Sequence, residues 1–279
     1  MRVFFVSFQK VIISRGFYIC VIFTIVLLFC ADIHTDYNTM NRYSVIRGLM
    51  DFSRGELAEE FEFCNISVVQ NARSGWFMLF APILSAFCFV PIITTERGEN
   101  AVRFQISRAS KLKYYVSEFF AGVISAGTAA ALGYAVFAAV VSPLFPNVSE
   151  MSEFAKSMLE GTTFNFPKLL LGMWCFGAFW SVPALLLTSI LRNKYLIMCI
   201  PFFLKYGLTQ TYQKISQNIY AGEFPDQKTL KILNAVNPDG IIRNNEFNRV
   251  PVIILFTIST LILFAMYLII SMKRSDCGA

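Results

Sequence analysis

Long apolar runs separated by short polar stretches dominate this chain. Six of them are long enough to cross a bilayer, at about 17–33, 75–95, 114–142, 167–191, 195–212 and 250–272. The third is long enough to tilt or to project beyond the hydrocarbon. The fifth is the most polar, with Pro201 and Lys205 inside it and "TQTYQKISQN" at its end. The pattern predicts an all-α polytopic membrane protein of six transmembrane helices in a single transmembrane domain, 1–279, with no nucleotide-binding domain.

Ahead of the first run, Val3, Phe4, Ser7, Val11 and Ser14 fall near one face, with Arg2, Lys10 and Arg15 as anchors. This predicts an interfacial helix; a ragged start to the first span is the alternative. The residues "PNVSEMSEFAKSMLEG" (146–161) predict a short helix capped at Asn147 with Glu150 in the capping-box position, presenting Met151, Phe154 and Met158 on one face. Asp226 predicts a cap for a further helix that stops before Pro238. The turn "LRNKY" is so short that the fourth and fifth spans must be antiparallel neighbours.

Composition agrees with lipid as the solvent. The 279 residues are 56% hydrophobic and include 29 Phe, while only 15% are charged, against about 25% in soluble domains. The net charge of +6 follows from topology and implies no nucleic-acid partner. With the termini inside, the inner pieces carry about 12 Lys/Arg against about three Asp/Glu, and the outer pieces, counted from Asp32, about 10 against about 14. The basic excess places both termini in the cytoplasm. The stretch 32–74, with "DFSRGELAEEFEF", is then an outer acidic cap. The sequons at Asn65 and Asn147 also fall outside and matter only in a eukaryotic source.

The chemistry of an enzyme is missing from the sequence. There is no phosphate-binding loop, zinc-protease, hydrolase-elbow or dinucleotide motif. His34 is the single histidine and reads as a surface residue. The seven cysteines form no CxxC pair, and no catalytic or metal-binding set is expected.

Three ionisable residues fall within spans. Glu118 and Lys168 lie near span ends, where they can reach the interface. Lys205 lies ten residues past Tyr195, about 15 Å into a helix, where insertion scales charge about 2.5–3.5 kcal/mol. Thr209 and Tyr212 continue its face. That stripe reads either as a translocation path or gate, or as a late-starting or re-entrant span whose lysine snorkels outward. Span three carries two stripes of small residues, Gly122/Ala126/Ala130 and Ser125/Ala129/Gly133, which suit close helix packing within the chain or between copies.

The inner loop has its own pattern. Val102, Ile106 and Ala109, with Leu112 beyond, give one apolar side, and Arg103, Ser107 and Lys111 mark another. A short amphipathic helix results, suited to a protein dock or to lipid headgroups.

Six spans, inner termini, an interfacial first helix and one charged inner loop resemble an ABC type-2 exporter permease. "TTERGENAVRFQISRASKLKYYVSE" (94–118) is similar to the family's passage from span two to span three. "SILRNKYLIMCIPFFL" (189–204) is similar to its four-to-five turn, and "LNAVNPDGII" (233–242) to the stretch before span six. The resemblance implies a permease that pairs with a second copy or a sister permease. It implies a separate ABC ATPase that holds ATP and Mg, so this chain needs no cofactor. It makes Glu96, Arg97, Glu99, Arg103 and Arg108 the coupling contacts to that ATPase. Residues 213–249 would include short outer-leaflet helices forming a gate. The cargo would be a peptide, antibiotic or other amphipathic compound, and the setting a bacterial plasma membrane. The competing readings are a stand-alone channel or secondary transporter, and a non-transporting membrane scaffold.

Overall fold

The structure is a computed structural model and describes residues 2–35, 40–99, 101–159, 164–220, 239 and 250–273. The helix expected between Asp226 and Pro238, and most of the expected gate at 213–249, lie outside these residues.

The chain begins with α1 (Arg2–Ile13) and α2 (Arg15–Phe29). Ser14 breaks the pair. Its hydroxyl accepts from the Phe17 amide and starts α2 afresh, and the two helices meet at 55°. An antiparallel hairpin follows, β1 (Asp32–Thr35) with β2 (Arg42–Ser44). Three short helices come next: α3 (Val45–Asp51), α4 (Arg54–Leu57) and α5 (Asn65–Asn71). Then come α6 (Trp76–Phe87), α7 (Val90–Gly98), α8 (Ala101–Arg108) and the 34-residue α9 (Lys111–Leu144). The chain continues through α10 (Glu153–Leu159), α11 (Phe166–Ile190), α12 (Lys194–Tyr220) and α13 (Val250–Lys273).

Four helical segments are long and apolar enough to cross a membrane: Trp76–Gly98, Lys111–Glu150, Phe166–Ile190 and Phe256–Lys273; the bent α1–α2 pair makes a fifth if it counts as one span. The protein is therefore a helical membrane protein. The helical expectation stands in outline; within 32–74 the described residues add a short hairpin. The region's charges Asp51, Glu56, Glu59 and Glu60 are exposed, as expected of a solvated cap, but they stand on a packed base. Val45, Leu57, Phe63 and Val68 are buried in one cluster with Phe137, Val141 and Phe145 of α9's end.

The long helices pack through small residues. A Cβ built at Gly177 of α11 would lie 2.8 Å from Ala130 Cβ and 3.1 Å from the Ala126 carbonyl oxygen. One at Gly133 would lie 2.7 Å from Thr24 on α2, and one at Gly122 3.0 Å from Leu185. The first small stripe of α9 therefore receives α11, and Gly133 of the second receives α2. Both are contacts within the chain, of the kind that replaces hydrophobic burial as the source of specificity in lipid.

The segment after α9 departs from expectation. Met151 interrupts the expected 146–161 helix and is buried. Asn147 makes no cap; its side-chain oxygen accepts from the Asn65 amide at 2.7 Å, so the two sequon asparagines hold each other. Ser152 instead accepts from the Ala155 amide at the start of α10. Ala155 turns inward with Met151, while Phe154 and Met158 are exposed. His34 is likewise no free surface residue: its Nδ1 lies 2.6 Å from Glu62 Oε2, and its ring packs on Phe63.

At α4, the Glu56 carboxylate accepts from the Ser53 amide at 2.7 Å and from its hydroxyl at 2.9 Å, a closed capping box. The Ser53 backbone and then side-chain bonds hold Glu56 below the ordinary carboxylate value. A depressed folded value means that the cap's contribution is full above the unfolded value, about pH 4.3, and is lost as pH falls through the folded one. The protection factor of the Ser53 amide, its exchange relative to the intrinsic rate at each pH, is expected to fall across that acid window, and Glu56→Gln to flatten the dependence.

Candidate functional site

The turn between α7 and α9 is anchored by a buried polar cluster. Pro91 opens α7, and the hydroxyls of Thr94 and Thr95 bond back to the carbonyls of Val90 and Pro91, so polar residues close an apolar helix without leaving unmet donors. Its last turn presents Glu96 and Arg97 in opposite senses. Glu96 Oε1 accepts from Lys10 Nζ of α1 at 2.8 Å, and its other oxygen accepts from the Tyr114 hydroxyl at 3.5 Å. Arg97 points inward. One guanidinium nitrogen donates to the Thr188 carbonyl of α11, and the other to Glu118 Oε2 at 3.2 Å.

Glu118 is the hub. It is 5% exposed and accepts three donors: Arg97, the Tyr114 hydroxyl at 3.1 Å and the Tyr267 hydroxyl of α13 at 2.5 Å. Its two oxygens are thus engaged by α7, α9 and α13, and Arg97 adds α11. Around it pack Phe119, Tyr115 and Tyr267, so the pair sits in an apolar and aromatic shell. A second tie lies nearby: Lys111 Nζ donates to the Met272 carbonyl near the end of α13 at 2.7 Å.

The short helix α8 hangs from this cluster. Val102 is buried and Ile106 half-buried against the same core. Glu99, Phe104, Ser107 and Arg108 are exposed, Phe104 by 72%, while Arg103 is half-buried. The expected apolar side therefore holds at Val102, Ile106 and Ala109 and ends there, since Leu112 is 49% exposed. The expected coupling residues separate into two sets. Glu96 and Arg97 bind the helices behind α8; Glu99, Arg103 and Arg108 lie on or beside α8 itself. Arg97, expected among the coupling residues, turns inward to Thr188 and Glu118.

Two residues of the cluster are not singled out by sequence reasoning. Glu118 is expected to sit at a lipid interface and is instead enclosed, because Arg97 and two tyrosines neutralise and solvate it. Tyr267 lies in an apolar run whose other polar residues are the small hydroxyls Thr257, Ser259, Thr260 and Ser271. The available signal was Tyr114 four residues before Glu118, on the same face.

The second polar cluster surrounds Lys205 of α12. Its ammonium donates to the Met78 carbonyl of α6 and lies 3.1 Å from Asp239 Oδ1. It also lies 4.9 Å and 5.7 Å from the ring centroids of Phe176 and Trp180 of α11. Lys205 is 2% exposed and Asp239 4%. Of the expected path or gate residues, Lys205 turns into the helix packing, and Thr209 and Tyr212 are half-buried further along; the Lys205 ammonium pairs with Asp239 within the structure. Among the described residues no group of three or more His, Cys, Asp or Glu could hold a metal ion.

No protein-family model matches this chain, and comparison with curated proteins gives no match.

Proposed function

We propose that this chain is the transmembrane permease subunit of an ATP-driven ABC exporter. It crosses a bacterial plasma membrane six times with both termini in the cytoplasm. It pairs with a second copy or a sister permease around a translocation path. ATP and Mg are held by a separate ATPase, and α8 is the helix that docks on it.

The observation that carries the proposal is the Arg97–Glu118 pair. A helix that only rested on lipid headgroups would need no rigid root. Here the residues just before α8 are fastened to α1, α9, α11 and α13 together, through Lys10, Glu118, Thr188 and Tyr267. A push on α8 is therefore delivered to four helices at once. A buried ion pair adds little stability over an apolar pair of the same size but fixes one arrangement. That is the property a transmitting joint requires.

Four helices, or five with the bent α1–α2 pair, are long and apolar enough to span; α12 is counted as the sixth. The 15 residues of α2 rise about 22 Å, short of the roughly 30 Å hydrocarbon core, so the bent α1–α2 pair is taken as the first span. α12 is the most polar long helix, yet its intramembrane charge is neutralised by Asp239.

Affinity purification of the tagged chain from its native membranes tests the assignment. Co-purification of an ATP-binding cassette ATPase, with ATP hydrolysis in the purified complex, is the expected result. A chain that purifies without any ATPase, and whose addition leaves the rate of a co-expressed ATPase unchanged, favours the channel or scaffold readings.

A further inference from the structure

Two cysteines meet where α2 crosses the junction of α6 and α7. The crossing is close and antiparallel. A Cβ built at Gly16 would lie 2.8 Å from the Phe87 carbonyl oxygen and 3.4 Å from that of Cys88. One turn further along α2, Cys20 Sγ donates to the Leu84 carbonyl at 3.0 Å. The thiols of Cys20 and Cys88 share a hydrogen bond. Cys20 is 2% exposed and Cys88 1%, and both are free thiols. Cys88 lies in the break between α6, which ends at Phe87, and α7, which starts at Val90. Both cysteines line one cavity of about 10 Å³, together with Thr24, Ser85 and four alanines. Either cysteine alone is a small apolar side chain. Two in contact on separate elements can become one covalent link.

We propose that Cys20 and Cys88 form a thiol-oxidation site, at which a small uncharged peroxide links α2 to the α6–α7 junction. One sulfur, as its thiolate, attacks a peroxide oxygen. The O–O bond breaks, the departing oxygen takes up the thiol proton and leaves as water, and a sulfenic acid remains. The second sulfur then attacks the sulfenic sulfur. The S–O bond breaks, an S–S bond forms, and the hydroxyl leaves with the second thiol proton as water. Two thiols and one hydrogen peroxide give one disulfide and two waters, with two electrons passing from sulfur to oxygen. Burial selects the reagent, because enclosed thiols are shut off from large or charged oxidants. The sulfurs must close to about 2.05 Å, and the cavity gives their side chains room to turn. The product is uncharged, so the link places no new charge in the apolar core. Its consequence is mechanical: α7, which carries Glu96 and Arg97, becomes fixed to α2 at its first residues. None of this depends on the exporter reading.

The test uses the purified full chain in lipid nanodiscs and needs no ATPase. Residues 16–42 hold both Cys20 and Cys30 between two trypsin sites, so Cys30→Ser is the parent protein. The parent is treated with hydrogen peroxide, its remaining thiols are alkylated, and the digest is weighed without reduction. Segment 16–42 joined to segment 74–97, the one holding Cys88, is expected as the main disulfide. The melting midpoint of the treated parent should rise by about 5–10 °C. Adding Cys88→Ser should remove both the joined segment and the rise. The mass reading on the parent stands by itself should that variant accumulate poorly. Oxidation of the exposed Cys199 with Cys20 and Cys88 still alkylated overturns the proposal. An equal rise in the Cys88→Ser chain overturns it as well.

Discussion

Glu118→Leu is expected to destabilise the protein by about 3–5 kcal/mol, the typical effect of removing one partner of a buried ion pair. The guanidinium of Arg97 would remain enclosed, facing the hydroxyls of Tyr114 and Tyr267 in place of a carboxylate. The burial is what makes the effect large: the two side chains are 15% and 5% exposed, whereas exposed pairs contribute only about 0–1 kcal/mol. An apolar replacement of both partners, Arg97→Met with Glu118→Leu, should recover most of the loss, since two similar apolar groups substitute well for a buried pair. Thermal or denaturant unfolding in detergent measures each step. The double variant also separates two roles. If the pair acts only in folding, recovered stability brings recovered function. If it transmits motion from α8, the double variant folds but its partner's ATP hydrolysis is uncoupled.

Gly177→Leu is expected to abolish folding, and even Gly177→Ala to destabilise. Alanine is favoured over glycine in a helix by about 1 kcal/mol. Yet at position 177 the new methyl would meet Ala130 Cβ at 2.8 Å and a backbone oxygen at 3.1 Å, neither of which can move alone. The helices α9 and α11 would have to separate, an overpacking effect of about 1–3 kcal/mol that outweighs the propensity gain. Gly207 of α12 is the internal control, with nothing within 4 Å of a built Cβ. Gly207→Ala should stabilise by about 0.5–1 kcal/mol. Yield of folded protein and unfolding midpoints of the three variants check this. A Gly177→Ala protein as stable as Gly207→Ala would mean that α9 and α11 do not approach this closely.

The helices were legible because their apolar runs are long and their boundaries chemically marked. Span three, read as 114–142, lies within α9 at Lys111–Leu144, and 167–191 nearly coincides with α11 at Phe166–Ile190. Ser14 marks the start of α2, and the small-residue stripes pointed to helix packing before its partners were known. Partner identities were less legible. Lys205 drew notice through its depth, but Asp239 lies 34 positions on, and no local pattern links the two. Glu118 looked like an interface residue because a single carboxylate near a span end usually is one; its donors come from Arg97, 21 positions before it, and Tyr267, 149 after it. The hairpin was missed because "DIHT" and "RYS" are too short to show strand alternation, and they are held by pairing with each other and by packing of Ile33 and Tyr43 against the core. The α8 helix could be read from its spacing, whereas the inward turn of Arg97 depends on α9 and α11 being behind it.

The central claim, that α8 conveys the work of a partner ATPase to the helix bundle, is tested most directly by ATP hydrolysis in the reconstituted complex. The comparison is between the wild-type chain and one carrying Arg103→Glu and Arg108→Glu with Phe104→Ala. These residues lie on α8, away from the Arg97–Glu118 pair, so the variant should insert and fold as the wild type does. We predict that its chain-dependent hydrolysis falls by at least about tenfold, equivalent to about 1.4 kcal/mol of lost interaction, or that the ATPase no longer co-purifies. A triple variant that retains the ATPase and hydrolyses ATP at the wild-type rate would contradict the account.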